Sequence, residues 1–486
     1  MSGGGMSVAV DSMGQGDAST SARTVVVGGG LAGLATAVGL GLHGQSALLL
    51  ESRPRWGGRA TSIVDQTTGE TIDNCQHVAM GCCTNFLHFC KTVGIADRFR
   101  REQTLWFIGP RGEQSRFEAG PWPAPFHLTG AFAGLKHLSW RDRWQLAWGL
   151  RALARARPQD DDRTTFAEWL ASHGQSPRVC DRFWNVVLVS ALSETLDRIN
   201  VAAARKVFVD GFLAHREAWE VLIPKSPLGD LYGAAVQSWM DAHGVETQMS
   251  AGVQAVELNE GRVCGVVLRT GARIAAERVV LAVPSSVVGS LLPEPIQSRP
   301  EVTGLDGLEW APISSAHFWL DREAIPLPHA AMVGYRSQWV FNRTRLQSLQ
   351  ADAQSGWSYQ VVISASRDLA GENRDAVLDG ILAELGRVWP EVLRATVLHR
   401  RLITEHRAAV SMLPGVERLR PAQRTTVPGL YLAGDYTRTG WPSTMEGAVR
   451  SGYLAAEAIL EELGQRTNVV QPDLPASVWA RWTMGI

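Results

Sequence analysis

The sequence predicts an α/β protein in which a Rossmann-like unit is interleaved with a second unit of mixed sheet and helices. Three observations predict it. Residues 24–59, TVVVGGGLAGLATAVGLGLHGQSALLLESRPRWGGR, read as strand, glycine turn, helix, strand and acid. Residues 429–460 give a second buried-looking strand, a Gly-Asp corner and a long capped helix. Between them the chain runs through a tryptophan-rich helical stretch, a strand meander and a further set of strands, so it leaves the first unit, returns, leaves again and comes back.

Taken in order, the first strand, Thr24 to Val27, is β-branched, and Gly28, Gly30 and Gly33 set a G-x-G-x-x-G spacing where the helix begins. The first glycine permits the tight turn, the second lets a pyrophosphate approach bare backbone, and the third lets the helix pack close to the strand. The phosphates are expected on the helix N-terminus, with Leu31 and Ala32 among the contacts, where free N–H groups meet the positive end of the dipole. Glu51 closes the second strand, Ala47 to Leu50, about 20 residues beyond the glycines, where a carboxylate can hold an adenosine ribose. Ser52 and Arg53 follow it as further candidates.

Gly57-Gly58-Arg59 comes next. A second glycine pair followed by Arg, just after the ribose acid, resembles the signature of the FAD-dependent amine oxidase and phytoene desaturase superfamily. That resemblance implies FAD as cofactor and a GR2-type flavoprotein fold. Residues 60–64 and 70–79 are expected to pair as strands around the turn Thr67-Thr68-Gly69. The run Asp73-Asn74-Cys75-Gln76-His77-Val78 follows, and in the resembled superfamily such a run passes beside the flavin ring. The fuller pattern TGETIDNCQHVAMGCCTNFLHF is similar to the hydroxysqualene dehydroxylase branch, from which Cys75 departs where a glycine is expected.

Residues 84–220 are expected to be helical. Pro121, Pro123 and Pro125, interleaved with Trp122 and Phe126, mark an apolar loop. Ser139 with Asp142 resembles a capping pair, and the helix it opens carries Trp140, Trp144 and Trp148 on one face, with Arg141, Arg143, Arg151, Arg155 and Arg157 on others. Core packing of a helical subdomain is the ordinary reading of that stripe; a membrane contact or a tunnel wall are the alternatives.

Residues 245–283 read as a strand meander, with turns near Asn259-Glu260-Gly261 and Thr270-Gly271. This resembles the superfamily's second FAD-binding segment, with Val253 at the position whose backbone reaches the adenine; a structural hairpin is the other reading. Residues 313–407 read as strands with one helix, at 374–389, forming a sheet that backs a substrate cavity. The last return, GDYTRTGWPSTMEGAVRSGYLAAEAI, resembles the C-terminal flavin motif, which implies Gly434, Asp435, Trp441, Met445, Glu446 and Ala448 as cofactor contacts. A helix N-terminus stabilises the negative charge of a reduced flavin at N1 and C2=O. Ser443 and Glu446 are spaced as a capping box.

The order of segments places a FAD-binding domain at 23–83, 226–295 and 425–465, and a substrate domain at 84–225 and 296–424. A disordered lead-in is expected at 1–22 and a tail at 466–486. With 47 basic and 48 acidic residues in 486, the net charge of −1 gives no field that favours nucleic acid. Six cysteines without a C-x-x-C pair read as thiols of a reducing compartment rather than a metal site. No window approaches the ~20 apolar residues that span a bilayer. A cytoplasmic protein is expected, with peripheral membrane contact left open.

The most particular pieces of the resemblance are 73–78, 123–128 and 440–448. They imply a long-chain isoprenoid substrate and the reductive conversion of hydroxysqualene to squalene, in hopanoid biosynthesis, with an electron donor the sequence does not identify. His77 is the candidate proton donor, since an imidazole carries a transferable proton near neutral pH, and Gln76 and Asn74 are candidates to hold the hydroxyl. The alternative is an oxidative desaturase of a carotenoid or other polyene. An amine oxidase and a non-catalytic lipid or protein escort are the remaining readings.

Overall fold

The computed structural model describes residues 24–159, 163–351 and 355–486; the lead-in expected at 1–22 lies outside the described residues. Five strands form a wholly parallel sheet in the order Val245–Gln248, Ala47–Leu50, Thr24–Val27, Arg278–Leu281, Leu430–Leu432. The four inner and far strands are buried along their whole length, as VVV, ALLL, VVL and LYL must be when both faces of a parallel sheet are covered. Helix Leu31–Leu42 lies over this sheet and is itself covered by helix Met445–Glu462. The two helices meet at backbone distance, because a Cβ on Gly452 would stand 2.3 Å from the Ala32 carbonyl oxygen.

A second sheet has seven strands in the order Val397–Val410, Trp310–Leu320, Trp357–Ser364, Trp339–Asn342, His329–Met332, Leu105–Ile108, Gln114–Phe117. One face packs on helix Arg374–Val388 through Val377, Leu378, Ile381 and Leu385. The other faces the helical layer that runs from residue 126 to 213.

Several expectations need correction. The stretch 84–220 is not helical throughout: Phe99–Glu102, Leu105–Ile108 and Gln114–Phe117 are strands. Leu105 and Phe107 enter one core and Ile108 the other, a two-residue alternation that only a strand delivers. Within 245–283 only Val253–Asn259, Arg262–Leu268 and Arg273–Ala275 form an antiparallel meander, while the outer two strands belong to the parallel sheet. The hairpin after Arg59 is shorter than expected, Ser62–Val64 against Thr71–Asp73, and Ala79–Met80 pairs instead with Val221–Pro224.

Helix Trp140–Arg155 has its capping box, Ser139 with Asp142, but its tryptophans do not enter the core. Leu146, Leu150 and Leu153 face inward, and Trp140, Trp144 and Trp148 are exposed. The core-packing reading of that stripe is therefore overturned. The tail is ordered against the body: it carries helix Val478–Met484, which rests on the tryptophan helix. Among the described residues no helix is long and apolar enough to cross a membrane.

Candidate functional site

The glycine turn divides its duties as the spacing demands. Gly28 takes φ +110°, and a Cβ on Gly33 would stand 1.8 Å from the Gly28 carbonyl oxygen, so strand and helix touch there. A Cβ on Gly30 would meet nothing nearer than the Gly58 Cα at 3.8 Å, which leaves open space over the helix start. Gly30 is the N-cap, it supplies no side-chain cap, and the N–H groups of Leu31 and Ala32 find no acceptor among the described residues.

Glu51 is buried at the end of its strand. One carboxylate oxygen accepts the Gly29 N–H at 2.7 Å; the other accepts the Arg53 N–H at 2.8 Å and the Ser52 hydroxyl at 3.1 Å. The segment leading to Val253 runs beside this acid, with Ala251 N–H donating to the Glu51 carbonyl at 2.8 Å and Ser250 N–H to that of Arg53 at 3.2 Å. The second glycine pair lies directly on the first turn, since Gly57 N–H donates to the Gly29 carbonyl at 2.8 Å.

Arg59 joins the early segments to the late one. Its guanidinium pairs with Asp435, donates to the Ala408 carbonyl at 2.7 Å and lies 5.3 Å over the Trp310 ring. The other Asp435 oxygen accepts the Ser443 hydroxyl, and the N–H of Gly434, the residue before it, donates to the Ser451 hydroxyl at 2.8 Å. Arg420, which the sequence did not single out, is buried beneath this corner and donates to the carbonyls of Asp435 and Trp441 at 3.1 and 2.9 Å. Segments around residues 30, 58 and 435 thus share one wall.

The late helix departs from the expected capping box. Thr444 is its N-cap and accepts the Gly447 N–H at 3.1 Å, whereas the Ser443 hydroxyl is drawn to Asp435 and accepts the Val410 N–H at 2.9 Å. The Glu446 carboxylate, fully buried, accepts the N–H groups of Asn85 and Phe86 and the Asn85 side-chain amide at 3.3, 2.8 and 2.8 Å. It therefore holds the start of helix Thr84–Thr92. Burial raises its pKa. Ala448 packs into the core beneath, while the Met445 sulfur accepts the Tyr232 hydroxyl at 3.9 Å.

A cavity of about 150 Å³ opens at this helix start, walled chiefly by Val78, Met80, Ala191, Val207, Trp441 and Met445. The Trp441 indole N–H donates to Asp473 at 3.0 Å, and Lys206 Nζ lies 4.5 Å from its ring centroid. Asp473, from the tail, also pairs with Lys206 at 2.7 Å and Arg450 at 2.8 Å. Burial works to raise the Asp473 pKa, but the Lys206 hydrogen bond and the two cationic neighbours hold it below the ordinary value. Nothing in the local sequence around Asp473 marked this clasp.

The run 74–77 behaves unevenly. Asn74 spends both ends of its side chain on backbone, donating to the Arg59 carbonyl at 2.8 Å and accepting the Cys75 N–H at 2.9 Å. Gln76 donates to the His77 carbonyl at 3.2 Å. Cys75 is buried, which pushes its thiol up to about 12. His77 Nδ1 lies 3.0 Å from the Cys75 carbonyl oxygen, which only accepts, so the proton sits on Nδ1. Nε2 has no hydrogen-bond partner among the described residues. Burial lowers the His77 pKa, against the opposing pull of that carbonyl and of Asp73. His77 is thus a neutral imidazole with a free lone pair, a better proton acceptor than the donor expected from its residue type.

Residues 31–460 match the family model described as flavin containing amine oxidoreductase. The chain is 26% identical over 468 residues to 15-cis-phytoene desaturase of Arabidopsis thaliana, covering 90% of this chain and 80% of the relative. It is 26% identical to a probable zeta-carotene desaturase of Synechococcus elongatus, covering 90% and 98%. Among solved structures, putrescine oxidase bound to putrescine superposes with a TM-score of 0.66 at 18% identity, over 90% of this chain and 99% of the other. An oxidoreductase from Methanosarcina mazei gives 0.67 at 18% identity, covering 90% and 100%. The cofactor is FAD, and the residues present fit it: uncapped N–H groups for a pyrophosphate, a buried carboxylate for a ribose, and a helix start beside an apolar cavity.

Proposed function

Within the flavin-containing amine oxidoreductases, the family to which this chain belongs, we propose that the protein exchanges hydride between FAD and a long acyclic isoprenoid. The observation that carries the proposal is the cavity at the start of helix Met445–Glu462, whose wall is mostly apolar, with Lys206, Glu446, Ser190 and Thr444 as its polar members. Bound FAD supplies a two-electron hydride carrier. Val78, Met80 and Trp441 keep water from the reacting carbons, and Arg59 with Asp435 fixes the corner on which the cofactor would rest.

Two directions of transfer are each favoured by an observation. Desaturation of a polyene takes one hydrogen of the substrate as hydride and the neighbouring one as a proton, and His77, which precedes the cavity-lining Val78 without itself lining that cavity, is the candidate base for that proton through its unpartnered Nε2. The names of the curated relatives, phytoene and zeta-carotene desaturases, support this reading. Reductive dehydroxylation of hydroxysqualene to squalene is favoured by the resemblance of residues 73–78, 123–128 and 440–448, but it asks His77 for a proton that its lowered pKa withholds near neutrality. The likeness to putrescine oxidase is one of fold alone.

Extraction and analysis after two incubations separate the readings. Oxidised flavoprotein with phytoene yields a product with a longer conjugated system if desaturation holds. Anaerobic dithionite-reduced protein with hydroxysqualene yields squalene if dehydroxylation holds. Turnover of neither, by a protein that retains its yellow flavin, removes the isoprenoid proposal; a protein that takes up no flavin supports an escort instead.

A further inference from the structure

We infer that helix Trp140–Arg155, helix Val478–Met484 and the loop 121–126 together form a docking surface for an anionic lipid bilayer. The three pieces adjoin. Arg151 and Arg157 donate to the carbonyls of Thr483 and Gly485, which tie the two helices at their C-terminal ends. The Ser477 hydroxyl donates to the Ala124 carbonyl and Arg216 to that of Trp122, which tie the terminal helix and residue 216 to the loop. Beneath them Ala154, Val209 and Ala214 form a buried cluster against Met484 and Ile486.

What this assembly presents outward is unlike the rest of the molecule. Of 18 tryptophans, the six most exposed all lie here: Trp122, Trp140, Trp144, Trp148, Trp479 and Trp482, with Trp144 at 76% and Trp482 at 77%. Exposed indoles are costly in water unless something covers them. The charge of the face identifies the cover. The two helices carry Arg141, Arg143, Arg151, Arg155 and Arg481, and Arg157 follows; their one carboxylate, Asp142, is buried and paired with Arg178 at 3.0 Å. In a chain with a net charge of −1, the two helices that bear these indoles thus hold five guanidinium groups to one paired carboxylate, and Asp160, Asp161 and Asp162 follow in sequence.

The geometry is that of a surface, not a groove. Trp140, Trp144 and Trp148 recur every four residues, about 6 Å apart along the helix axis, so the stripe can lie flat in a plane. Rings with an apolar body and an N–H edge suit the headgroup level of a bilayer, and guanidinium groups suit lipid phosphates. The inference stands on this surface chemistry and does not depend on the substrate proposed above.

Flotation of the full-length flavoprotein tests it, with vesicles of phosphatidylcholine alone and with about a third phosphatidylglycerol. The wild type is expected to float with the anionic vesicles and less with the neutral ones. Replacement of Trp140, Trp144, Trp148, Trp479 and Trp482 by Ser is expected to cut the floated fraction about tenfold or more, with melting temperature and flavin content unchanged. Brominated lipid should quench wild-type tryptophan fluorescence, a readout that needs no variant. The inference is overturned if the wild type stays unbound and unquenched with both vesicle types, or if a correctly folded variant floats as the wild type does. It is also overturned if the face instead supports a dimer that the variant abolishes while neither protein binds vesicles.

Discussion

Gly30 and Gly33 sit three residues apart on one turn, and the same substitution at each should fail in different ways. A Cβ at position 33 would stand 1.8 Å from the Gly28 carbonyl oxygen, where neither backbone can yield. Gly33→Ala is expected to destabilise the protein by about 3 kcal/mol or more, seen in urea melts with and without flavin. A Cβ at position 30 has 3.8 Å to its nearest neighbour, so Gly30→Ala should leave the flavin-free melt within about 0.5 kcal/mol of wild type. It should nonetheless weaken FAD binding more than tenfold in a flavin titration, and normal affinity would move the pyrophosphate elsewhere. Both roles were legible because glycine spacing encodes backbone geometry. The state of His77 was not, since it depends on burial and on which carbonyl its ring meets. His77→Ala is expected to lower turnover about 100-fold or more while FAD stays bound; unchanged turnover would take His77 out of the chemistry.

At the scale of elements, Glu446 shows how one side chain serves two helices. It stands in the first turn of Met445–Glu462 and accepts three N–H donors from the start of Thr84–Thr92. Glu446→Gln swaps one accepting oxygen for an amide that faces donors, which should cost about 1–3 kcal/mol. Denaturant melts and hydrogen exchange at residues 85 and 86 would report it, and an unchanged melt would show that the donors re-pair locally. The spacing of Ser443 and Glu446 suggested a capping box, because sequence reveals who stands three residues from whom but not that Asp435 lies close enough to claim the serine. The strands between residues 99 and 117 were hidden for a similar reason: each is four residues long, too short for periodicity to outweigh helical flanks. The parallel strands around the glycine turn were legible, since burial on both faces leaves an unbroken apolar run. The Asp473 clasp was not, because its partners come from two other segments, Lys206 from the helical layer and Trp441 and Arg450 from the last return of the chain.

Across the whole molecule, the stability of the fold is tied to pH through histidines sealed into the second unit. His127 and His137 are buried in the helical layer and its sheet, and burial lowers each to about 4; Arg216 adds to the effect at His127, while Glu113 opposes it at His137. His317, buried within the seven-stranded sheet, is lowered to about 3 by burial and then by Arg343 and Arg401. Each is neutral when folded and has an ordinary value near 6.5 when unfolded. The unfolded chain therefore binds more protons below that pH, so their contribution is whole above about 6.5 and is lost as pH falls towards 4. Depressions of this size amount to about 3–5 kcal/mol per histidine when fully expressed. Two such losses rival the about 5–15 kcal/mol that holds a typical protein folded. One paired carboxylate acts later. Asp65 would be raised by burial, but Arg401 and the turn N–H groups of Thr67 and Thr68 hold it well below the carboxylate range, so its contribution goes only under about pH 4. Loss of stability should therefore begin between pH 6.5 and 4, ahead of the protonation of Asp65, with net proton uptake on unfolding from the three histidines and with Glu446, whose pKa burial raises, working in the opposite sense. His127→Leu, which removes one titrating ring from an apolar site, should flatten that slope by roughly one proton in urea melts taken across the interval. A slope identical to wild type, or a wild-type stability constant down to pH 4.5, would show that these rings reach solvent before the fold gives way.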